Sequence, residues 1–437
     1  MRISVIGCGY LGAVHAACMA KLGHEVVGID VDEQKIANLS EATAPFYEPG
    51  LEDLLRDVQE TGRLKFTTDI SAAAGSSVHF ICVGTPQKKG ENGADLRFVD
   101  ASAEALAPYL APGDLVVGKS TVPVGTAARL AEFVKDVQPD AHLVWNPEFL
   151  REGHAVSDTL QPDRFVYGVE GGSEDDPAVS VLDEVYAVPL SNGTPRLITD
   201  HPTAELVKTA ANSFLATKIS FINAMAEVCE AAGADISSLA DAIGLDDRIG
   251  RKFLNAGIGF GGGCLPKDIR AFMARAGELG ADQALTFLRE VDAINMRRRN
   301  RVVELTRDLC DGSLLGKRIT VLGAAFKPES DDVRDSPALN IAAQLQLQGA
   351  VVTVNDPKAL VNAAKRFPEL HYESNLEIAL NGADILLLLT EWQQYRDLDP
   401  YVTGASVTCR RILDGRNTLD PSKWRSAGWL YRGLGRP

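Results

Sequence analysis

The most constraining feature of the sequence is a glycine motif near its start. Residues Arg2–Ile6 form a short apolar run typical of a buried strand, and residues 7–12 read GCGYLG, a G-x-G-x-x-G spacing. A helical stretch follows, and then a second strand-like run, Glu25–Ile29, which ends at Asp30. Glycines at this spacing permit a tight turn whose backbone N–H groups approach a pyrophosphate. The motif therefore predicts a dinucleotide-binding α/β unit.

The acidic residue after the second strand indicates which dinucleotide is bound. Asp30 is placed to accept hydrogen bonds from the adenosine ribose hydroxyls. Its carboxylate would repel a 2′-phosphate, so the sequence favours NAD over NADP.

The strand–helix alternation occurs twice along the chain. Further strand-like runs at 78–83, 115–119 and 143–145 predict a parallel sheet covered on both faces, over roughly the first 190 residues. From Lys317 the same rhythm returns at 318–322, 350–354 and 384–389, and Asp356 follows its strand as Asp30 does. Residues 323–326 read GAAF and lack the glycine triplet. This second unit should therefore bind something other than a dinucleotide pyrophosphate.

The middle of the chain has a different character. No glycine or proline occurs between Pro202 and Gly233, apolar residues recur there at helical spacing, and a second such stretch runs from Ala281 to Asp311. Two long helices between α/β units are typical of a connector or a dimerisation surface, although plain packing explains the pattern equally well. We expect an α/β protein with two doubly wound parallel-sheet domains and a central helical domain. The expected boundaries are 1–198, 199–312 and 313–437.

Composition limits the classes of function. The formal net charge of −15 argues against nonspecific nucleic-acid binding, and any anionic substrate needs a local cationic cluster. The seven cysteines are scattered without a CxxC pair, so we expect neither a disulfide framework nor a metal site. This cysteine usage is typical of a protein of the reducing cytoplasm. The aliphatic run 385–389 is far too short to span a bilayer.

One cysteine stands in a segment suited to covalent chemistry. Residues 259–268 read GFGGGCLPKD, which places Cys264 in the first turn of a predicted helix, where Pro266 is tolerated. The helix N-terminus and Lys267 both favour the thiolate, and Asp268 is expected on the same helical face. An activated thiol in a chain that also binds a hydride acceptor suggests oxidation of an aldehyde through a thioester.

Four further segments carry candidate polar groups. The loops 82–86 (CVGTP) and 119–123 (KSTVP) follow strands and should lie at the carboxyl edge of the sheet, although either is compatible with an ordinary turn. Glu148 and Glu152 share a face if their segment is helical, a pattern also common on solvated surfaces. Lys208 and Asn212, four residues apart on the first long helix, are suited to stabilising an oxyanion, unless Lys208 merely extends to solvent.

Taken together, these segments resemble the UDP-glucose/GDP-mannose dehydrogenase family. The resemblance covers nearly the whole chain, in the family's order. Its longest strings are CVGTP (82–86), KSTVPVGT (119–126), NPEFLREG (146–153), GFGGGCLPKD (259–268), GAAFKPESDDVRDSP (323–337), TEW (390–392) and DGRN (414–417). A mild departure is Gly263, where many relatives carry a larger or hydroxylated residue. The resemblance implies two Rossmann-like domains, which bind NAD and the UDP-sugar, joined by a helical dimerisation domain.

The resemblance also implies a reaction. The C6 alcohol of a nucleotide sugar is oxidised twice, with two NAD⁺, through a thiohemiacetal and a thioester on Cys264. Lys208 and Asn212 would stabilise the oxyanions, and Asp268, Thr121 and a glutamate of 148–152 would position the water. The implied catalytic residues are Cys264, Lys208, Asn212, Asp268, Thr121, Glu148 and Glu152.

Binding positions follow from the same resemblance. For NAD they are Gly7, Gly9, Tyr10, Leu11, Gly12, Asp30, Lys35, Thr85, Thr121, Glu152 and Lys267. For UDP-glucose they are Glu148, Phe149, Leu150, Arg151, Glu152, Lys208, Asn212, Phe253, Leu254, Asn255, Ala256, Gly257, Gly261, Lys327 and Arg334. Arg248 aligns with an arginine that reaches the neighbouring subunit's site, which implies a homodimer or a higher homo-oligomer. We expect neither nucleic acid nor a membrane as a partner.

Several alternatives remain at this point. GDP-mannose is the closest rival substrate, but TEW, Arg396 and DGRN resemble the UDP-glucose branch, and the cysteine segment of UDP-N-acetylhexosamine dehydrogenases differs more. A β-hydroxyacid dehydrogenase would stop after one hydride transfer and would need neither Cys264 nor the carboxy-terminal unit. A catalytically inactive nucleotide-sugar sensor would be expected to lack a catalytic residue, and none is missing.

Overall fold

The structure, a computed structural model, describes residues 1–437. It divides into two compact units, one made of residues 1–211 and 270–280, the other of residues 212–269 and 281–437. No helix combines the length and the apolar character needed to cross a membrane.

The first unit is built on an eight-stranded sheet. Its strand order is β3-β2-β1-β4-β5-β6-β7-β8. The strands are β1 (Arg2–Ile6), β2 (Glu25–Ile29), β3 (Leu64–Thr67), β4 (Val78–Ile81), β5 (Leu115–Gly118), β6 (His142–Trp145), β7 (Phe165–Val169) and β8 (Arg196–Asp200). Successive residues point to opposite faces, so Val5 and Ile6 enter separate apolar clusters on the two sides of the sheet. The predicted doubly wound arrangement is confirmed.

Helices cover both faces of this sheet. They are α1 (Tyr10–Lys21), α2 (Glu33–Ser40), α3 (Leu51–Glu60), α4 (Arg97–Leu106), α5 (Thr126–Val137), α6 (Ala155–Leu160), α7 (Pro177–Val185) and α8 (Ala187–Ser191). Helix α1 is buried along most of its length, in keeping with the many small residues between Gly12 and Ala20.

The first sheet departs from the predicted parallel arrangement in one place. Strand β7 pairs antiparallel with β6 through Trp145 and Gly168, whereas β7 and β8 are parallel to each other. The chain between β6 and β7 contains only the six-residue helix α6. It therefore returns along the same edge in the opposite direction instead of crossing a face as a βαβ unit does.

The two predicted long helices are present. They are α9 (His201–Ala232) and α12 (Phe287–Leu309), and between them lie α10 (Ile236–Gly244) and α11 (Leu265–Glu278). In the second unit the hydroxyl of Ser220 on α9 donates to the carbonyl of Val291 on α12, at 2.7 Å. This buried bond fixes the two long helices to each other.

The second unit carries a six-stranded sheet that is parallel throughout, with the order β11-β10-β9-β12-β13-β14. Its strands are β9 (Arg318–Leu322), β10 (Val351–Asn355), β11 (His371–Tyr372), β12 (Ile385–Leu388), β13 (Arg411–Asp414) and β14 (Leu430–Gly433). Its helices are α13 (Pro337–Leu347), α14 (Leu360–Arg366), α15 (Leu376–Leu380), α16 (Gln393–Arg396), α17 (Pro400–Ser406) and α18 (Pro421–Ser426).

Both sheets reverse their winding direction at the same relative position. In each sheet the first strand is flanked by the second strand on one side and the fourth on the other, which are β2 and β4 around β1, and β10 and β12 around β9. A crevice forms at such a switch point beyond the carboxyl ends of the strands, where open α/β sheets bind ligands. The fold therefore predicts ligand sites at the loops after β1, β4, β9 and β12.

Candidate active site

The glycine motif forms the turn that the sequence predicts. Gly7 has φ +90°, and a Cβ on Gly12 would overlap the carbonyl oxygen of Gly7. A Cβ on Gly9, by contrast, would meet no protein atom within 4 Å. Helix α1 begins directly afterwards with Tyr10 and Leu11, so its N-terminus faces open space at Gly9. This cradle fits the pyrophosphate of a dinucleotide.

Asp30 lies beside this turn at the end of β2. Its Oδ2 accepts the backbone N–H of Cys8 and the Nζ of Lys35, each at 2.8 Å, while Oδ1 accepts the N–H of Asp32 at 3.0 Å. A carboxylate has about four acceptor positions, so Oδ1 retains capacity for a ribose hydroxyl. This free acceptor position fits a hydroxyl of the adenosine ribose of NAD.

The corresponding aspartate of the second unit is fully engaged. Oδ2 of Asp356 accepts the N–H groups of Ala324 and Ala325 and the indole N–H of Trp392, while Oδ1 accepts the N–H groups of Lys358 and Ala359. Five donors leave this carboxylate no acceptor position for a ribose. Asp356 therefore holds its own loop, in agreement with the missing glycine triplet.

Loops after three neighbouring strands are tied together at the carboxyl edge of the first sheet. The Thr85 hydroxyl donates to the Thr121 carbonyl at 2.7 Å, and the buried Nζ of Lys119 donates to Oδ1 of Asn146 at 2.9 Å. Burial lowers the pKa of Lys119 to about 8. These bonds fix the loops after β4, β5 and β6 relative to one another.

The residues after β6 bring a carboxylate to the first long helix. Glu148 Oε1 lies 3.0 Å from Lys208 Nζ, with both side chains largely buried. The Phe149 ring has the Arg164 guanidinium 3.8 Å and the Lys208 ammonium 5.5 Å from its centroid. Lys208 is therefore directed into a group with Glu148 and Phe149 instead of extending to solvent.

The segment that carries Glu148 and Glu152 is not helical. The segment is irregular, since Glu148 Oε2 accepts the N–H of Leu150 at 2.8 Å and so competes with helical bonding. Pro147 offers no donor, and Gly153 has φ +80°, which ends the segment. The two glutamates therefore do not share a helical face.

Arg151 is engaged elsewhere. Its side chain makes a forked pair with Asp158, with Nε–Oδ2 at 2.9 Å and Nη2–Oδ1 at 2.6 Å. This pair occupies the Arg151 guanidinium.

Cys264 directly precedes α11 and is exposed. The backbone N–H of Asp268 donates to the Cys264 carbonyl at 2.9 Å, so the cysteine caps the helix instead of lying inside its first turn. The buried Asp268 carboxylate accepts Nδ2 of Asn212 at 2.7 Å and lies 2.6 Å from Lys267 Nζ. A thiol at a helix N-terminus thus stands one turn from a carboxylate held by an amide and an ammonium.

The substrate positions implied in the second unit occupy two segments. In one, Phe253 has φ +66°, Asn255 accepts from Arg251, and the N–H of Gly257 donates to Asn223 at 2.8 Å. Leu254 and Ala256 are buried in this same segment.

The other segment lies between β9 and α13. Lys327 Nζ lies 5.5 Å from the Phe326 ring centroid, and Arg334 pairs with Asp332 at 2.7 Å. A Cβ on Gly261 would overlap the Asp335 carbonyl, so the cysteine segment and this loop are in close contact.

Gly263 and Arg248, both singled out in the sequence, lie in the second unit. A Cβ on Gly263 would overlap the guanidinium of Arg334, so the glycine before Cys264 leaves room for that cation. The Arg248 side chain is 88% exposed and paired with Asp246 at 2.6 Å. Its guanidinium is therefore held at the surface by an aspartate of its own loop.

Comparisons with known proteins decide the family. Three sequence models of the UDP-glucose/GDP-mannose dehydrogenase family match in order: the NAD binding domain at residues 1–189, the central domain at 202–297 and the UDP binding domain at 320–421. The chain belongs to this family.

Individual members match over the full length. UDP-glucose 6-dehydrogenase of Rhizobium meliloti (strain 1021) is 41% identical over 100% of both chains. UDP-glucose 6-dehydrogenase TuaD of Bacillus subtilis (strain 168) is 41% identical over 100% of this chain and 93% of its own. The structure of a UDP-glucose dehydrogenase from Pyrobaculum islandicum superposes with a TM-score of 0.89 at 37% identity, covering 100% of this chain and 98% of that one.

Arg416 is a residue near the cysteine segment that the sequence did not predict. Arg416 donates through Nε to Leu389 O at 2.7 Å, through Nη1 to Gly259 O at 3.2 Å and through Nη2 to Phe326 O at 3.1 Å. It thus joins the segment before Cys264 to the loop of Lys327. The only signal was the DGRN string, because single-chain spacing does not show where a long side chain reaches.

Proposed function

We propose that this chain is a UDP-glucose 6-dehydrogenase, which oxidises the C6 alcohol of UDP-glucose to the carboxylate of UDP-glucuronate with two NAD⁺. The observation that carries the proposal is the exposed Cys264 at the start of α11, one turn from Asp268, whose carboxylate is held by Asn212 and Lys267. A nucleophile is needed only if oxidation continues beyond the aldehyde, so this arrangement favours a four-electron reaction.

NAD⁺, when bound at the glycine turn and Asp30, supplies the hydride acceptor. In the proposed sequence C6 of the alcohol loses a hydride and O6 a proton, which gives the aldehyde. The Cys264 sulfur then forms a bond to C6, and the thiol proton passes to the aldehyde oxygen, which becomes the hydroxyl of a thiohemiacetal. Loss of a second hydride from C6 and of the proton of this hydroxyl gives a thioester. Water then adds to C6 and displaces the Cys264 sulfur, which releases the acid and restores the thiol.

The remaining polar groups serve the charges that develop on oxygen. We assign oxyanion stabilisation to Lys208 and Asn212, because an ammonium and an amide are both donors. Asp268, with Thr121 and Glu148 or Glu152, positions and deprotonates the hydrolytic water. The ion pair between Glu148 and Lys208, at 3.0 Å, supports the assignment of Lys208, because it keeps the ammonium beside Glu148 instead of in solvent.

Ligand contacts are assigned to the remaining residues. NAD is assigned to Gly7, Gly9, Tyr10, Leu11, Gly12, Asp30, Lys35, Thr85, Thr121, Glu152 and Lys267. UDP-glucose is assigned to Glu148, Phe149, Leu150, Arg151, Glu152, Lys208, Asn212, Phe253, Leu254, Asn255, Ala256, Gly257, Gly261, Lys327 and Arg334. Arg151 would have to leave Asp158 to take part. The proposed domains are 1–198, 199–312 and 313–437.

A homodimer is also proposed. Phe214, Phe221 and Val228 lie seven residues apart on α9 and are 66%, 49% and 57% exposed. Side chains at this spacing line one side of a helix, and an exposed apolar row of this kind favours contact with another protein surface. A second copy is the occupant that brings the exposed Arg248 to the partner subunit's site. A reducing cytoplasm is the proposed compartment, since none of the seven cysteines is in a disulfide.

A substrate panel tests the proposed function. UDP-glucose, UDP-galactose, GDP-mannose and UDP-N-acetylglucosamine are compared by NADH absorbance, and the products are identified by mass spectrometry. UDP-glucose should give the highest kcat/KM and UDP-glucuronate as the product. Preference for GDP-mannose would assign the chain to the other substrate branch, and no turnover of any sugar would favour a sensor.

A further inference from the structure

Helix α12 buries one amide and two guanidinium side chains on one side. Asn295, Arg298 and Arg299 are 1%, 0% and 2% exposed. Burial of an amide or a guanidinium is unfavourable unless its donors and acceptors are paired. The hydrogen-bond partners of these three side chains therefore indicate their role.

Asn295 pairs with the backbone of a single residue. Its Oδ1 accepts the N–H of Phe260 at 2.8 Å, and its Nδ2 donates to the Phe260 carbonyl at 3.0 Å. The amide thus replaces a neighbouring strand and satisfies both backbone groups of Phe260. Gly259 has φ +96°, and a Cβ there would overlap Asn295 Oδ1, so the contact also requires glycine at 259.

The two arginines hold the flanking segments. Arg298 Nε donates to the carbonyl of Gly257 at 3.2 Å, and Arg299 Nη1 donates to Asp335 Oδ1 at 3.0 Å. From the other side, the N–H of Gly262 donates to the carbonyl of Arg334 at 2.8 Å. The glycine-rich segment 259–263 is therefore held between α12 and the 334–335 loop.

We propose that Asn295 is a positioning residue for Cys264. By fixing both backbone groups of Phe260, it sets the path of three glycines that lead to the nucleophile and so the place of the sulfur at the start of α11. Glycines alone cannot fix this path because their backbone is freely variable. The proposal rests on the proposed function, in which Cys264 is the nucleophile.

Loss of this pairing should affect chemistry more than cofactor binding. A misplacement of about 1 Å can cost about 100-fold in rate, so Asn295→Ala should lower kcat by roughly 10- to 100-fold. The KM for NAD should be unchanged, because Phe260 has no part in the glycine turn or in Asp30. Asn295→Asp keeps the acceptor for the Phe260 N–H but loses the donor to its carbonyl, and it should fall between wild type and Asn295→Ala.

The test measures Cys264 directly as well as turnover. Alkylation by iodoacetamide is followed at Cys264 by peptide mass spectrometry, with the partly exposed Cys409 as an internal reference. If the sulfur leaves its place at the helix N-terminus, alkylation at Cys264 should slow by about two- to fivefold, in keeping with the loss of the terminal dipole. Asn300→Ala, an exposed asparagine on the same helix, is the matched control.

The outcomes separate positioning from general stability. Slower Cys264 alkylation and lower kcat in folded Asn295→Ala, an intermediate Asn295→Asp and an unchanged Asn300→Ala support the proposal. Wild-type kcat per folded molecule with wild-type alkylation in either Asn295 variant overturns it. If Asn295→Ala does not fold, the isosteric Asn295→Asp decides alone by the same two readouts. If the wild type oxidises no nucleotide sugar, the proposed function fails, while alkylation still tests the positioning by Asn295.

Discussion

Glu205 on α9 should make the stability of the first unit depend on pH. It is 2% exposed, lies three residues before Lys208, and its carboxylate accepts the N–H groups of Gly125 and Ala127 at 2.7 Å each. It therefore caps α5, whose own N-cap residue is a glycine without a side chain. Burial raises the pKa of Glu205 from 4.5 to about 7, outweighing the opposing effect of the two N–H bonds.

The sign and size follow from proton linkage. Because the folded-state pKa is raised, the folded protein binds a proton between pH 4.5 and about 7 that the unfolded chain does not. The associated stability is fully present below about pH 4.5 and is lost as the pH rises through the folded-state pKa of about 7. A difference of about 2.5 pKa values corresponds to about 3 kcal/mol.

The perturbation is Glu205→Gln, which cannot titrate. We expect the thermal midpoint of the wild type minus that of the variant to decrease as the pH rises from 5 to 7. The decrease should be roughly 2–4 °C for each kcal/mol of lost stability, and the difference should stay level above pH 7. Calorimetric scans across this range measure it, and Glu132→Gln, an exposed glutamate on α5, should follow the wild type at every pH. A wild-type-minus-variant difference that does not change with pH, or that grows as the pH rises, would refute the reasoning.

Three other predictions concern the cofactor and the dimer. The wild type should prefer NAD to NADP by at least about 100-fold in kcat/KM, since close like charges repel by several kcal/mol in a partly desolvated site; comparable efficiencies would contradict the role of Asp30. Mixing Arg248→Ala with Cys264→Ala subunits under exchange should restore activity, because one site of the heterodimer is intact, and no recovery despite exchange would place Arg248 in its own chain's site. Phe221→Glu should shift the protein towards monomer in light scattering, and an unchanged dimer would remove the α9 row from the interface.

The sequence predicted the fold better than the site. The alternation of strand-like and helical runs predicted both sheets, and the stretches without glycine or proline predicted both long helices. The spacing of apolar residues and the length of a run are local properties of the sequence. The antiparallel β7 was missed because strand direction depends on where the chain crosses the sheet. Spacing could not decide whether the Glu148 segment is helical, because there a side chain competes with the backbone for hydrogen bonds. Asn295 and Arg416 were not distinguishable from surface residues, since their importance lies in carbonyl and amide groups distant in sequence.

The central claim is that Cys264 carries the substrate through two oxidations. The most direct measurement is the amount of NADH formed per UDP-glucose consumed at completion, with the product identified. We predict a ratio of two and UDP-glucuronate, and loss or severe slowing of acid formation in Cys264→Ser, because an oxygen ester hydrolyses much less readily than a thioester. A stable ratio of one with free aldehyde accumulating in the wild type would contradict the thioester mechanism.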